Sequence, residues 1–133
     1  MINWPAVVVH GLDHARQALR PGYPVILLSA EAAAGYAGCL WWRELMAVAR
    51  AAYPATVARD LLDCGAAPGL AMAALRAGQR ALVLDPACPA YATVASAAGL
   101  LGAIVLPARP PALDLSERGA RRRLTGWLAA SVR

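Results

Sequence analysis

Short apolar runs are the feature that most constrains how this 133-residue chain folds. Each run has the length of a single strand, and a continuous run suits a strand that is buried on both faces of a parallel sheet. The stretches between the runs are rich in alanine and leucine, which favours helices. The runs cover residues 6–9, 25–28, 60–63, 81–84 and 103–106.

Helices are predicted over residues 12–19, 32–52, 70–77 and 91–101, with a further helix after Pro110 and Pro111. Alternation of strands and helices predicts a parallel sheet with right-handed crossovers. We therefore predict a single three-layer α/β domain over residues 1–133, Rossmann-like or flavodoxin-like, with a five-stranded, mainly parallel sheet. Residues 112–133 are predicted to form a basic helical segment packed on it.

A faint internal repeat supports the predicted strand-turn-helix units. Residues 59–78 and 80–99 align at an offset of 21, with Pro68 matching Pro89 and the final Gly78 matching Gly99. A proline near the start of a helix and a glycine at its exit explain the repeat structurally.

Composition bounds the class of protein. Apolar residues make up 59% and charged residues 16% of the chain, which excludes disorder over most of it. Three cysteines without a CxxC pair, and no secretory signal, favour reduced thiols in the cytoplasm. No apolar run approaches the ~20 residues of a membrane span, so no membrane association is expected.

The net charge of +5 is concentrated towards the C-terminus, where Arg121, Arg122 and Arg123 are consecutive. Such a run binds nucleic acid or acidic lipid in some proteins. More often it is the solvated face of a docked helix, and we expect no nucleic-acid binding here.

Polar residues are scarce, yet at least one closes every predicted strand. Ligands of open α/β sheets bind at the carboxyl ends of the strands, although polar residues there also cap helices. The pattern predicts a site for a small anionic or nucleotide-like ligand, with Arg109 and helix N-termini as anion receptors. The predicted ligand-binding residues are His10, Ser29, Asp63, Cys64, Gly65, Gly69, Asp85 and Arg109.

The segment DLLDCGAAPG, residues 60–69, is similar to the first motif of class I S-adenosylmethionine-dependent methyltransferases, in which an acid ends a strand and a glycine-containing turn follows. The resemblance extends over residues 60–106. It implies that S-adenosylmethionine is the cofactor, that Asp63, Gly65 and Gly69 shape its turn, and that Asp85 binds its ribose hydroxyls. Because the internal repeat carries the same turn, the alternative is a tight strand-helix connection without a ligand.

Other residues leave further alternatives open. His10 and His14 are four residues apart, but without paired-cysteine spacing we predict no metal site. Cys64 lies near a helix start, where thiol pKa values fall, although a small buried thiol is the favoured interpretation. Trp41 and Trp42 must face different directions on a helix, so one should enter the core and the other should lie at a surface.

No reaction is assignable from these residues, and whether the protein is an enzyme stays open. The alternative function is a non-catalytic, homo-oligomeric assembly or scaffold protein. Its contact surface would surround the two tryptophans and the basic segment. Oligomerisation is expected because so apolar a chain has few charged side chains with which to cover its surface.

Overall fold

A computed structural model describes residues 3–130 of the chain. The strands are β1 (Ala6–Val8), β2 (Val25–Leu28), β3 (Ala58–Asp63), β4 (Ala81–Val83), β5 (Ile104–Leu106) and β6 (Ala112–Asp114). The helices are α1 (Leu12–Leu19), α2 (Ala33–Tyr36), α3 (Cys39–Ala52), α4 (Pro68–Arg76), α5 (Tyr91–Leu100) and α6 (Ala120–Ala130).

The α/β class and the parallel sheet are confirmed. The strand order is β5-β4-β3-β2-β1-β6. The pairings β1 with β2, β1 with β6, β3 with β4 and β4 with β5 are all parallel. All residues of β1 and β2 are buried, as the continuous apolar runs predict. None of the described helices is both long and apolar enough to cross a bilayer.

The predicted number of strands is wrong by one, because β6 lies within residues 112–133, which the sequence predicts to be helical. This strand is only three residues long and has no β-branched residue, so its local signal is weak. Pairing with β1 makes it a strand: Ala112 pairs with Ala6, and Asp114 with Val8. The C-terminal helix is present but begins at Ala120; residues 131–133 of the predicted segment lie outside the described residues.

The chain divides into two compact units. Unit 1 contains the described residues up to Leu28, Leu45–Asp60, and those from Pro110 onward. Here β1 is hydrogen-bonded to β2 on one side and to β6 on the other. The indole Nε1–H of Trp127, on α6, donates to the carbonyl of Ala6 at 2.8 Å, which ties the C-terminal helix to β1.

Unit 2 contains Ser29–Glu44 and Leu61–Arg109. It includes the carboxyl end of β3 together with β4 and β5, and the registers pair Leu62 with Leu82 and Val83 with Leu106. Because β5 is an edge strand, its residues are not fully buried. The apolar run 103–106 did not indicate this exposure.

The predicted helix over residues 32–52 is two helices. Gly38 separates α2 from α3 and has φ +89°, a left-handed conformation that does not continue an α-helix. Glycine therefore ended one helix and allowed another to begin, although no proline marks the break.

Both helices of the internal repeat end in a Schellman motif. In α4 the N–H of Gly78 bonds to the carbonyl of Leu75, and in α5 the N–H of Gly102 bonds to that of Gly99. The repeat had matched Gly78 with Gly99, but Gly99 lies inside α5. The second helix therefore ends three residues later than the alignment implied.

Candidate functional site

Three of the predicted site residues meet in unit 2. The guanidinium Nη1 of Arg109 donates to a carboxylate oxygen of Asp63 at 2.8 Å and to the carbonyl of Ser29 at 3.0 Å. The hydroxyl of Ser29 accepts the backbone N–H of Asp63 at 2.9 Å and donates to the carbonyl of Ala30. We call Ser29, Asp63 and Arg109 the strand-end cluster.

Asp63 is the buried centre of this cluster. Its side chain is 4% exposed, and its two oxygens accept from different donors. One accepts the Gly65 N–H at 2.8 Å, and the other accepts Nη1 of Arg109. A buried carboxylate is costly unless it is paired and hydrogen-bonded, and here it is both. Asp63, the acid that ends β3, therefore bonds both to the turn that follows it and to the loop after β5.

Arg109 is only partly used by these contacts. Its side chain is 26% exposed, and within residues 3–130 no hydrogen bond engages its Nε or Nη2. Since a guanidinium carries five donors in a rigid fork, the bonds at Nη1 orient the fork while leaving other donors for a further acceptor.

Gly65 is required by the geometry of the turn. It has φ +59°, and a Cβ placed on it would lie 3.1 Å from the Cβ of Ala32. Ala32 itself has φ 54°, an unusual conformation for a residue with a side chain. Two left-handed residues therefore face each other in the loops that follow β2 and β3, and a side chain at position 65 would be strained and would crowd Ala32.

Asp85 and Gly69 have less specific surroundings. Asp85 is exposed, and one of its carboxylate oxygens accepts the N–H of Ala87 at 2.9 Å, which closes the turn after β4. Its backbone N–H donates to the carbonyl of Gly65 at 2.8 Å. Gly69 is the second residue of α4, and no atom lies within 4 Å of an added Cβ there. Space does not require glycine at that position.

Cys64 is not a reactive thiol in this fold. It is buried, and desolvation, with a smaller contribution from the charge of Asp63, raises the pKa of its thiol to about 12. The nucleophilic thiolate is therefore scarce at neutral pH. Cys64 is the small buried residue that its surroundings in the sequence favour.

His10 belongs to unit 1, where its partner is a residue that the sequence analysis missed. The ring Nε2 of His10 lies 2.8 Å from a carboxylate oxygen of Asp114, the last residue of β6. The same oxygen accepts the backbone N–H and the hydroxyl of Ser116 at 2.9 and 2.7 Å. A polar residue closes each of the predicted strands, and Asp114 closes β6 in the same way. This signal would have identified Asp114 if β6 had been predicted.

The pKa of Asp114 is lowered from its usual value. Partial burial acts to raise it, but the hydrogen bonds from the backbone and hydroxyl of Ser116, and then from His10, outweigh burial because they stabilise the ionised form. Asp114 is therefore a carboxylate at neutral pH. A carboxylate only accepts, so Nε2 of His10 is the donor of their hydrogen bond.

The tryptophan prediction is confirmed. Trp42 is fully buried, whereas Trp41 is 38% exposed. In α6, Arg121, Arg122 and Arg123 are exposed, while Leu124 and Leu128 of the same helix are buried. The arginine run thus lies on the solvated side of a docked helix. Among the described residues, no group of three or more histidine, cysteine, aspartate or glutamate side chains is arranged to hold a metal ion.

The fold and these sites define an α/β protein with polar clusters at strand ends in both of its units. No protein-family model matches the chain, and no curated protein is significantly similar to it.

Proposed function

We propose that the protein binds a small anionic or nucleotide-like ligand at the strand-end loops of unit 2, with Arg109 as the anion receptor. The observation that carries the proposal is the half-used guanidinium. Asp63 and Ser29 hold Nη1, while Nε and Nη2 bond to no described residue. A guanidinium in this state offers a fork that matches carboxylate and phosphate oxygens.

Preorganisation supports the proposal. Arg109 bonds to a buried carboxylate whose other oxygen is held by a backbone N–H, so its orientation is set before a ligand arrives. Less side-chain freedom is then lost on binding, which raises affinity. Asp85, exposed at the end of β4, is the acid to which the methyltransferase resemblance assigns the ribose hydroxyls. S-adenosylmethionine is therefore one of the nucleotide-like ligands to be tried.

The competing interpretation is that Asp63 and Arg109 only pin the loop after β5. Thermal unfolding separates the two, because a ligand that binds only the folded state stabilises it by about 2.7 kcal/mol at 100 times its Kd. The probes are inorganic phosphate, pyrophosphate, AMP, a sugar phosphate and S-adenosylmethionine. We expect at least one to raise the Tm by several degrees.

Variants then locate the effect. Arg109→Met should remove the ligand-dependent shift, and Arg109→Lys should weaken it because a lysine lacks the fork. The matched control is Arg76→Met, which loses the same charge from an exposed position at the end of α4. It should keep the shift. Two results would contradict the proposal: no probe raises the Tm, or a probe raises the Tm of Arg109→Met as much as that of the wild type. Asp63 and Arg109 would then only hold the loop after β5 in place.

A second candidate, homo-oligomeric assembly, is favoured by exposed apolar side chains. Tyr36 is 71% and Leu100 is 90% exposed. Large exposed apolar patches commonly mark protein interfaces. A cytoplasmic location is proposed alongside either function, since Cys39, Cys64 and Cys88 are free thiols, as expected in a reducing compartment.

A further inference from the structure

The pair of His10 and Asp114 in unit 1 is a separate cluster that the proposed ligand site does not use. His10 follows β1, and Asp114 is the last residue of the neighbouring parallel strand β6, where it pairs with Val8. They are 104 positions apart in sequence, yet their side chains are joined at 2.8 Å. Both are about one-third exposed, so a small molecule has access to them.

The hydrogen bonds of this pair determine which nitrogen of neutral His10 carries the lone pair. Asp114 is held by the backbone and hydroxyl of Ser116 and accepts the proton-bearing Nε2 of His10. In neutral His10 the lone pair is then on Nδ1. No residue in the described part of the chain hydrogen-bonds to that nitrogen. This is the arrangement in which a carboxylate orients an imidazole and fixes its tautomer.

His14 complements this base. The backbone N–H of His10 donates to Nδ1 of His14 at 3.1 Å, so neutral His14 carries its proton on Nε2. The two rings lie edge to face with centroids 5.5 Å apart. One imidazole therefore presents a lone pair, and its neighbour presents an N–H donor.

We propose that His10 and His14 form a proton-transfer site for small α-hydroxy carbonyl compounds, with Asp114 as the residue that positions His10. Abstraction of a proton next to a carbonyl needs a base and a donor at the developing oxyanion, and a neutral imidazole can serve as that donor. These are the two roles that the histidines present.

The step balances without another reactant. Nδ1 of His10 takes the proton from the carbon between the carbonyl and the hydroxyl. The C–H electron pair forms a C=C bond, and the carbonyl π electrons move to the carbonyl oxygen. The Nε2–H of His14 donates a hydrogen bond to that oxygen. Reversal restores the substrate with a proton exchanged from solvent. The chain contains no lysine, so no lysine amine forms an iminium that would produce the same exchange.

The first experiment reads the tautomers by ¹⁵N NMR of the imidazoles in the full chain. At a pH where both rings are neutral, both histidines should be in the Nε2–H form. Asp114→Ala should convert His10 to a mixture of tautomers while leaving that of His14 unchanged. A wild-type His10 with its proton on Nδ1 would overturn the proposal, because the lone pair would then face Asp114.

The second experiment follows deuterium incorporation into hydroxyacetone and glyceraldehyde in D₂O by ¹H NMR. The wild type should exchange faster than buffer, His10→Gln should return the rate to that of buffer, and Asp114→Asn and His14→Gln should each lower it at least tenfold. Glu117→Gln, an exposed carboxylate in the same unit, should leave it unchanged.

Wild-type exchange no faster than buffer, or an unchanged rate in His10→Gln, would contradict the assignment. Hydrolysis of 4-nitrophenyl acetate that depends on His10, without any exchange, would overturn the carbon-acid chemistry in favour of acyl transfer.

Discussion

At the scale of single residues, the segment DLLDCGAAPG is explained first by its turn. Asp63 accepts the N–H of Gly65, and Gly65 adopts a conformation and a contact with Ala32 that a side chain would disturb. These features need no ligand. The turn does not explain why Arg109 pairs with the buried Asp63 through Nη1 while its Nε and Nη2 bond to no described residue. Those free donors are the reason for proposing a ligand.

The contact between Gly65 and Ala32 predicts coupled substitutions. Gly65→Ala should lower the free energy of unfolding by about 1–3 kcal/mol, through its positive φ and the 3.1 Å approach to the Cβ of Ala32. Ala32→Gly removes that Cβ, so Gly65→Ala should cost less in the Ala32→Gly background. Urea denaturation of the four proteins measures this coupling. Strict additivity would contradict the contact.

The lowered pKa of Asp114 predicts an acid-dependent contribution to stability. The pKa of a carboxyl group can be lower in the folded than in the unfolded state, as it is for Asp114. Such a group stabilises the fold at pH values above its unfolded pKa, near 4, and that contribution is lost as the pH falls through its folded pKa. Asp114→Asn should therefore be about 1 kcal/mol less stable than the wild type at pH 6, for its weakened hydrogen bonds. The difference should shrink towards pH 2, as measured by urea denaturation. A difference that is constant from pH 6 to pH 2 would contradict this.

At the scale of elements, the C-terminal helix shows how one face of a helix determines the role of the other. Leu124 and Leu128 are buried, and Trp127 bonds to the carbonyl of Ala6 in β1. These contacts dock α6 within unit 1 and leave its arginines at the surface. The exposed run then has a sufficient explanation in solubility.

The docked helix predicts weak or no nucleic-acid binding. Phosphate contacts by three arginines would make affinity fall steeply with salt, with a slope near −0.9 per contact on duplex DNA. We expect no binding of a 20-base-pair duplex in 50 mM salt by fluorescence anisotropy. Binding that is abolished by replacing Arg121, Arg122 and Arg123 with glutamine would show that the run is an interface instead.

At the scale of the whole molecule, the exposed apolar side chains predict self-association. We expect light scattering at micromolar concentration to give a mass above the 13.8 kDa of one chain. Leu100→Arg, at the most exposed large apolar residue of residues 3–130, should shift the distribution towards the monomer, and Glu44→Arg, at an exposed site on α3, is the control. A wild type that is monomeric at all concentrations would remove the assembly function.

Features that depend on neighbours in sequence were predictable. Continuous apolar runs located β1 to β5, and α1 has the predicted bounds, because burial and helix propensity are expressed within a few residues. The break at Gly38 was missed, whereas α5 ends one residue before its predicted end at residue 101. A glycine is tolerated inside a helix or terminates it, and tertiary packing decides which.

What the sequence by itself determined is the class of fold and the presence of polar residues at strand ends. Which of those residues meet was decided only by the tertiary structure. Arg109 reaches an acid 46 positions away, and His10 reaches Asp114 on a strand too short to be recognised. The physical reason is that strand order brings distant residues together through backbone pairing, which the side chains of neither partner encode locally.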